Sequence, residues 1–190
     1  MGNESDKDKN VAVSSSDVID DRDVLMARIA SDASAFKYAS EALRADREVV
    51  LAAVSLSGKS LRYATPDLRA DREVVIEAIK KSGKALQYAA SSLQADRDVV
   101  MEAIKSSGKH VQFASDELRN DREIMFAAVS TTAGAMRHAS ENLKEDREFV
   151  LKAVGQSHVV LAHVADRFRS DEEIVLEALR HWLDFQRREV

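Results

Sequence analysis

The chain contains no cysteine. That single absence excludes disulfides, thiolate metal sites and a cysteine nucleophile. Proline occurs once, at Pro66, and glycine six times in 190 residues. A Pro/Gly-rich disordered chain is therefore not the reading from residue 21 onward. Aromatic residues make up only 5% of a chain that is 45% hydrophobic. The apolar content is mostly Val, Ala, Leu and Ile, which suits thin layers of packed helices. No run of eighteen apolar residues exists, so no membrane span is expected. The opening residues, MGNESDKDKNVAVSSSDVI, lack the long apolar stretch of a signal peptide. Residues 1–19 are expected to form a flexible polar tail. The absence of cysteine and of targeting segments is compatible with a cytoplasmic location. Net charge is -5, so bulk attraction to nucleic acid or anionic lipid is not the default.

What the chain does have is a period. Asp21, Asp46, Asp71, Asp96, Asp121, Asp146 and Asp171 are spaced by 25 residues without a slip. Seven copies of one unit run from residue 21, and a fixed period of this length marks a stacked repeat architecture. Numbering each unit from its Asp, position 2 is Arg in six copies and position 3 is always Glu or Asp. Positions 4, 5, 6 and 9 are apolar in every copy, and position 8 is Ala in all but the first, where it is Arg28.

Asp ahead of an apolar helical pattern is an N-cap, and acid at position 3 suits the positive end of the helix. Gly58, Gly83 and Gly108 stand at position 13, where glycine commonly supplies a left-handed turn that ends a helix. The spacing thus predicts a helix over positions 1–12, buried on several sides. A second, short helix is expected over about positions 14–19, carrying apolar residues such as Leu86 and Ala89 and an aromatic at position 18. A capped single turn then turns the position-23 Leu inward, with Pro66 at the favoured first helical position.

A lone unit cannot fold. Each buried side chain contributes about 1.5–3 kcal/mol, against an ordering entropy of about 1.5 kcal/mol per residue. Stability must come from interfaces between copies. The expected fold class is all-α: an α-solenoid of seven 25-residue repeats, each a longer helix plus a short helix or turn. The seventh copy has Leu183 in place of a helix-breaking glycine and predicts a longer C-terminal capping helix. Arg180, Asp184, Arg187 and Arg188 would face water there, with Trp182 covering the last layer. This copy also has Glu172 where the others have Arg. Arg near a helix start is unfavourable against the dipole, so its recurrence predicts a partner: an acid in the following copy, which the last copy lacks.

The segment DREVVLAAVSLSGKSLRYATPDLRA and its neighbours resemble a repeat family catalogued as a domain of unknown function. Similar repeats occur in bacterial effector proteins delivered into host cells and in protist proteins. The resemblance covers roughly residues 21–180 and rests on the DRE-V-V starts and the YAS-x-x-L-R-x-D links. Copies five and six depart from it, with Gly134 displaced by one position and His158 in place of a turn glycine. The resemblance implies an intracellular interaction role, with a protein partner that could belong to a host. It implies no catalytic residue.

Chemistry-bearing motifs are sparse. His138 and His163 fill the aromatic position 18, and together with His158 they form the candidate metal cluster, without any fixed ligand spacing. The acids of positions 1–3 recur in every copy, as a folding device does, whereas a catalytic pair needs one special environment. No G-x-S-x-G elbow or phosphate-cradling loop is present. An enzyme is not expected, and no cofactor or metal is implied.

The most suggestive surface lies at positions 14 and 17, three apart and hence on one side of the second helix. Through copies one to five these positions carry Lys37, Lys59 and Arg62, Lys84 and Gln87, Lys109 and Gln112, and Arg137. The set contains six basic residues and no acid. It would suit an acidic or phosphorylated protein segment. The expected function is a non-catalytic protein-binding scaffold, monomeric, without membrane contact. A nucleic-acid-binding helical repeat is the alternative, against which stand the acidic total and the lack of stacking aromatics at these positions. An architectural spacer without a ligand is a further alternative.

Overall fold

The computed structural model describes residues 18–188. Most of the polar tail expected over residues 1–19 lies outside them. Seven longer helices start one residue after the seven periodic aspartates: α1 (Arg22–Ser31), α2 (Arg47–Leu56), α3 (Arg72–Lys81), α4 (Arg97–Ser106), α5 (Arg122–Thr131), α6 (Arg147–Val154) and α7 (Glu172–Arg188). Each of the first six is followed by a six-residue 3-10 helix at positions 13–18, such as Gly58–Tyr63 and Gly83–Tyr88. A single helical turn at positions 21–24 follows in copies one to five, such as Pro66–Arg69, with a 3-10 turn (Asp166–Ser170) in copy six. The second helix is therefore wound more tightly than α and begins one residue earlier than the sequence pattern indicates. Pro66 takes the first position of its turn.

The substantial contacts join elements of the same or adjacent repeats. The long helices form one row and the 3-10 helices a second. Positions 4, 5, 8 and 9 supply the core between layers: Val74, Val75, Ala78 and Ile79 are at most 2% exposed. Position 16 closes the space between the rows, with Phe36, Leu61, Leu86, Val111 and Met136 wholly buried. Among the described residues the only strand-like feature is an isolated bridge between Ile19 and Ala39. It opens a backbone series between repeats: the position-20 N–H donates to the position-24 carbonyl of the copy before, as in Thr65 to Arg44 at 3.2 Å, Ala90 to Arg69 at 2.8 Å and Ser115 to Gln94 at 2.9 Å.

The N-cap expectation holds: Asp46 accepts from the backbone N–H of Glu48 and Val49, and Asp71, Asp96 and Asp121 act in the same way. The expectation for the position-13 glycines does not. No glycine has a left-handed φ, and α2 and α3 end on extended serines, Ser57 (φ -144°) and Ser82 (φ -157°). Glycine is needed there because the neighbouring repeat comes too close. A Cβ on Gly58 would overlap the Ala78 carbonyl oxygen, and one on Gly83 would stand 2.7 Å from that of Ala103. What matters at this position is the missing side chain.

The position-2 arginines do reach the following copy. Arg22 bonds Asp46 (3.1 Å) and Glu48 (2.5 Å), Arg47 bonds Asp71 (3.0 Å) and Glu73, and Arg97 bonds Asp121 (2.6 Å) and Glu123. Arg72, Arg122 and Arg147 repeat the pattern. Each guanidinium thus ties a cap carboxylate and a first-turn acid of the next helix. Burial pushes the Asp71 carboxyl up, but the hydrogen bond from Arg47 and the Val74 N–H outweigh it and hold the group below the usual carboxylate range. Asp46, Asp121, Asp146 and Asp171 are depressed too. A carboxyl of this kind gives stability that is complete above its unfolded pKa, about 4. That stability is lost as pH falls through the lower folded value. We expect the urea midpoint to be level near neutrality and to fall steeply below about pH 4. In Arg97→Ala it should be lower at neutral pH, and the remaining acid-dependent drop should shrink. The neutral-pH loss should itself diminish in high salt, because these pairs are exposed.

The last layer differs from expectation. α7 is one long helix, as Leu183 in place of glycine predicts. Its polar residues Arg180, Asp184 and Arg187 do face water, while nothing is described for the Arg188 side chain. Trp182 does not seal the layer: it is 43% exposed, and Leu176, Leu179, Leu183 and Phe185 are exposed beside it. No described helix in the chain is long and apolar enough to cross a membrane.

Candidate functional site

A 3-10 helix has three residues per turn, so side chains three apart eclipse one another. Positions 14 and 17 are such a pair, and the 3-10 helices stack copy on copy. The eight residues singled out by sequence accordingly share one face of that row. Lys59, Lys84, Lys109, Gln112 and Arg137 are exposed, and Lys37, Arg62 and Gln87 are half-buried. In copy six the stripe ends, at Val159 and Ala162.

The position-17 side chains are engaged by their neighbours. The Lys37 ammonium lies 4.6 Å from the centre of the Tyr38 ring and the Arg62 guanidinium 4.8 Å from that of Tyr63. Such pairs are favourable cation–π contacts. A hydrogen bond with the Tyr38 hydroxyl holds the Lys37 pKa above its ordinary value. Gln87 donates from Nε2 to the Lys84 carbonyl at 3.0 Å, and Arg137 donates from Nε to His138 Nε2 at 3.0 Å. The position-14 lysines behave differently. No ion pair engages Lys59, Lys84 or Lys109 among the described residues.

A second line of polar groups borders this face and was not picked out from sequence. Position 24 reads Arg44, Arg69, Gln94, Arg119, Lys144 and Arg169. Arg44 donates from Nη2 to the Lys37 carbonyl at 2.8 Å, Gln94 from Nε2 to the Leu86 carbonyl at 3.1 Å, and Arg169 from Nη2 to the Ala162 carbonyl at 3.3 Å. These side chains close the open carbonyl end of the 3-10 helix behind them. Arg119 and Lys144 are also paired with Asp116 and Glu141 one turn back. The Nε atoms of Arg44, Arg69 and Arg119 are buried without a hydrogen-bond partner. The sequence signal was there: position 24 is basic in five of six copies.

The electrostatic sign of the face registers at His138. Its pKa is lowered first by burial and then by the nearby charges of Arg137, Arg119 and Lys144. His138 and His163 fill the half-buried ring position, as expected. His158 does not join them. It packs instead on His181, which the sequence reading left out, with ring centres 5.5 Å apart and Nδ1 atoms 3.3 Å apart. No group of three or more His, Asp or Glu placed to hold a metal occurs among the described residues.

The broadest groove runs between α6 and α7, lined by Arg147, Lys152, Glu172, Leu176, Glu177 and Arg180. Its charges are of both signs, and Arg147 is already committed to Asp171 and Glu173. It offers no convergent set of groups of the kind that chemistry needs.

The sequence profile of a family described as a domain of unknown function (DUF4116) matches residues 21–69, 71–119, 96–144, 121–164 and 146–185. Each of the first three matches starts on a position-1 aspartate or asparagine-free copy boundary and runs to position 24 of the next repeat, so the family unit is a pair of adjacent copies. No curated protein and no solved structure matches the chain. The periodic N-caps, the arginine links and the paired rows are thus features of a helical repeat chain that belongs to the family of DUF4116 domains.

Proposed function

We propose that the protein is a non-catalytic scaffold that holds an acidic protein segment along its row of 3-10 helices. One observation carries this reading. Lys59, Lys84 and Lys109 recur at the same position of three successive layers, exposed and without an ion pair among the described residues. A row of like charges with no internal counter-ion favours an anionic ligand that runs along it. Glutamate or aspartate side chains on a peptide, or phosphoryl groups on one, have the right charge.

Single-stranded nucleic acid would need open ring faces for bases to stack on. Along this row Lys37 and Arg62 already cover the rings of Tyr38 and Tyr63, which favours the peptide.

Fluorescence anisotropy with a labelled Glu/Asp-rich peptide tests the proposal. The triple variant Lys59→Glu, Lys84→Glu, Lys109→Glu should bind at least about tenfold more weakly, with unchanged circular dichroism because all three side chains are exposed. A uridine-rich RNA of similar charge should bind less well at physiological salt. Equal binding by variant and wild type, or preference for the RNA, would remove this reading.

A further inference from the structure

The face of α7 that looks away from the stack is apolar. In each preceding helix from α2 to α6, positions 5 and 9 are buried by the next repeat: Val75, Val100 and Met125 are 0% exposed and Ile79, Ile104 and Val129 are 2%. In α7 the same positions are Val175, half-buried, and Leu179, 48% exposed. The open face is enlarged by Leu176, Trp182 and Leu183, each between 43% and 48% exposed. Their spacing of three and four makes one stripe along the helix. A terminal layer normally carries a polar outer face. Here the apolar character is extended.

The geometry points to a second copy of this chain as the occupant, joined through α7 about a twofold axis. Head-to-tail stacking is opposed at the other end of the row. Arg28 stands at position 8 of α1. In the inner copies that position is a fully buried alanine, such as Ala78 or Ala103, whose carbonyl lies against the glycine of the preceding repeat. Glu172 stands where an arginine would be needed to meet Asp21 and Asp23, and would face them with like charge.

An antiparallel pair of α7 helices has neither defect. The stripe is centred on Leu179, so Leu179 would meet its twin and Trp182 of one copy would meet Leu176 of the other. A twofold contact needs this kind of self-complementary patch. The helix begins with Glu172 and Glu173 and ends with Arg187 and Arg188. Opposed directions bring the acidic start of one beside the basic end of the other, and the helix dipoles align favourably as well. Glu172 has no ion pair among the described residues, so it is available to such a neighbour.

Sedimentation velocity over a dilution series from about 100 µM, a range that resolves micromolar dimers, tests the pairing. Wild type should sediment as a species of twice 21.0 kDa at the upper concentrations. Leu179→Glu should raise the dissociation constant at least about a hundredfold, because a carboxylate would be forced into the centre of the contact. Arg28→Ala should leave it unaltered. Trp182 is the only tryptophan, so its emission in the wild type should shift to the blue as concentration rises, a readout independent of whether the variant folds. A wild type that is monomeric throughout with concentration-independent emission, or a dimer that survives Leu179→Glu, would overturn the inference.

Discussion

Replacing Gly108 with alanine should destabilise the stack by about 3 kcal/mol, as overpacking against rigid backbone does. A Cβ there would overlap the Ala128 carbonyl oxygen and stand 2.7 Å from both the carbonyl carbon and Thr131 Oγ1. None of these is the loose end of a long side chain. The Gly108 N–H also donates to Thr132 Oγ1 at 3.1 Å, so the two layers cannot part without losing that bond. The same change at Gly134 is the control. Its nearest non-neighbouring atom would be His163 Nε2 at 3.9 Å, and its φ is not left-handed. Gly134→Ala should therefore be neutral or gain about 0.5 kcal/mol, since alanine has fewer unfolded conformations to lose. Urea midpoints of the two variants should move in opposite directions. Gly108→Asn sharpens the comparison: asparagine suits a left-handed position and fails at a close approach. A well-tolerated Asn at residue 108 would restore the turn explanation.

The second large effect is expected at Leu86. This side chain is wholly buried at position 16 of the third copy, among the largest such side chains in the molecule. Leu86→Ala should cost about 3–4 kcal/mol, the sum of lost transfer energy and the cavity left behind. In a row where each layer touches only its neighbours, the damage is local. Hydrogen exchange should accelerate first around Gly83–Tyr88 and the adjoining turns. A lower slope in urea unfolding would accompany it if the two sides of the row uncouple. Uniform loss of protection across all layers would instead mean that the chain unfolds as one cooperative body.

Much of this architecture was legible because it recurs. The aspartate caps and the apolar positions 4, 5, 8 and 9 can be read from any copy and checked against six others. The arginine links were legible from an exception, Glu172 in the copy with no follower. What escaped shares one physical cause: it depends on what stands next door. Glycine at position 13 reads identically whether it supplies a left-handed φ or vacates space for a carbonyl. Only the approach of Ala78 to Gly58 tells them apart. The position-24 cations looked like ordinary charges at a helix end. Their acceptors, such as the Lys37 carbonyl seven residues back for Arg44, come into reach only once the turn has folded. His158 and His181 sit at different positions of their repeats, so no column comparison pairs them. On α7, polar and apolar residues alternate along the sequence and separate into distinct faces only around the helix, which hid the bare stripe beside Trp182.

The arginine links also constrain how such a chain can change its length. Arg47 reaches 24 residues ahead to Asp71 and 26 ahead to Glu73, and Arg22 and Arg97 span the same two intervals. A guanidinium fork is planar and short, so it works as a gauge block between helix starts. Losing one residue between two starts would turn the next helix by about 100° and strand an arginine together with two acids. Excising a whole 25-residue module leaves every gauge intact. The molecule can therefore grow or shrink in module-sized steps, while single-residue insertions inside a module are heavily penalised.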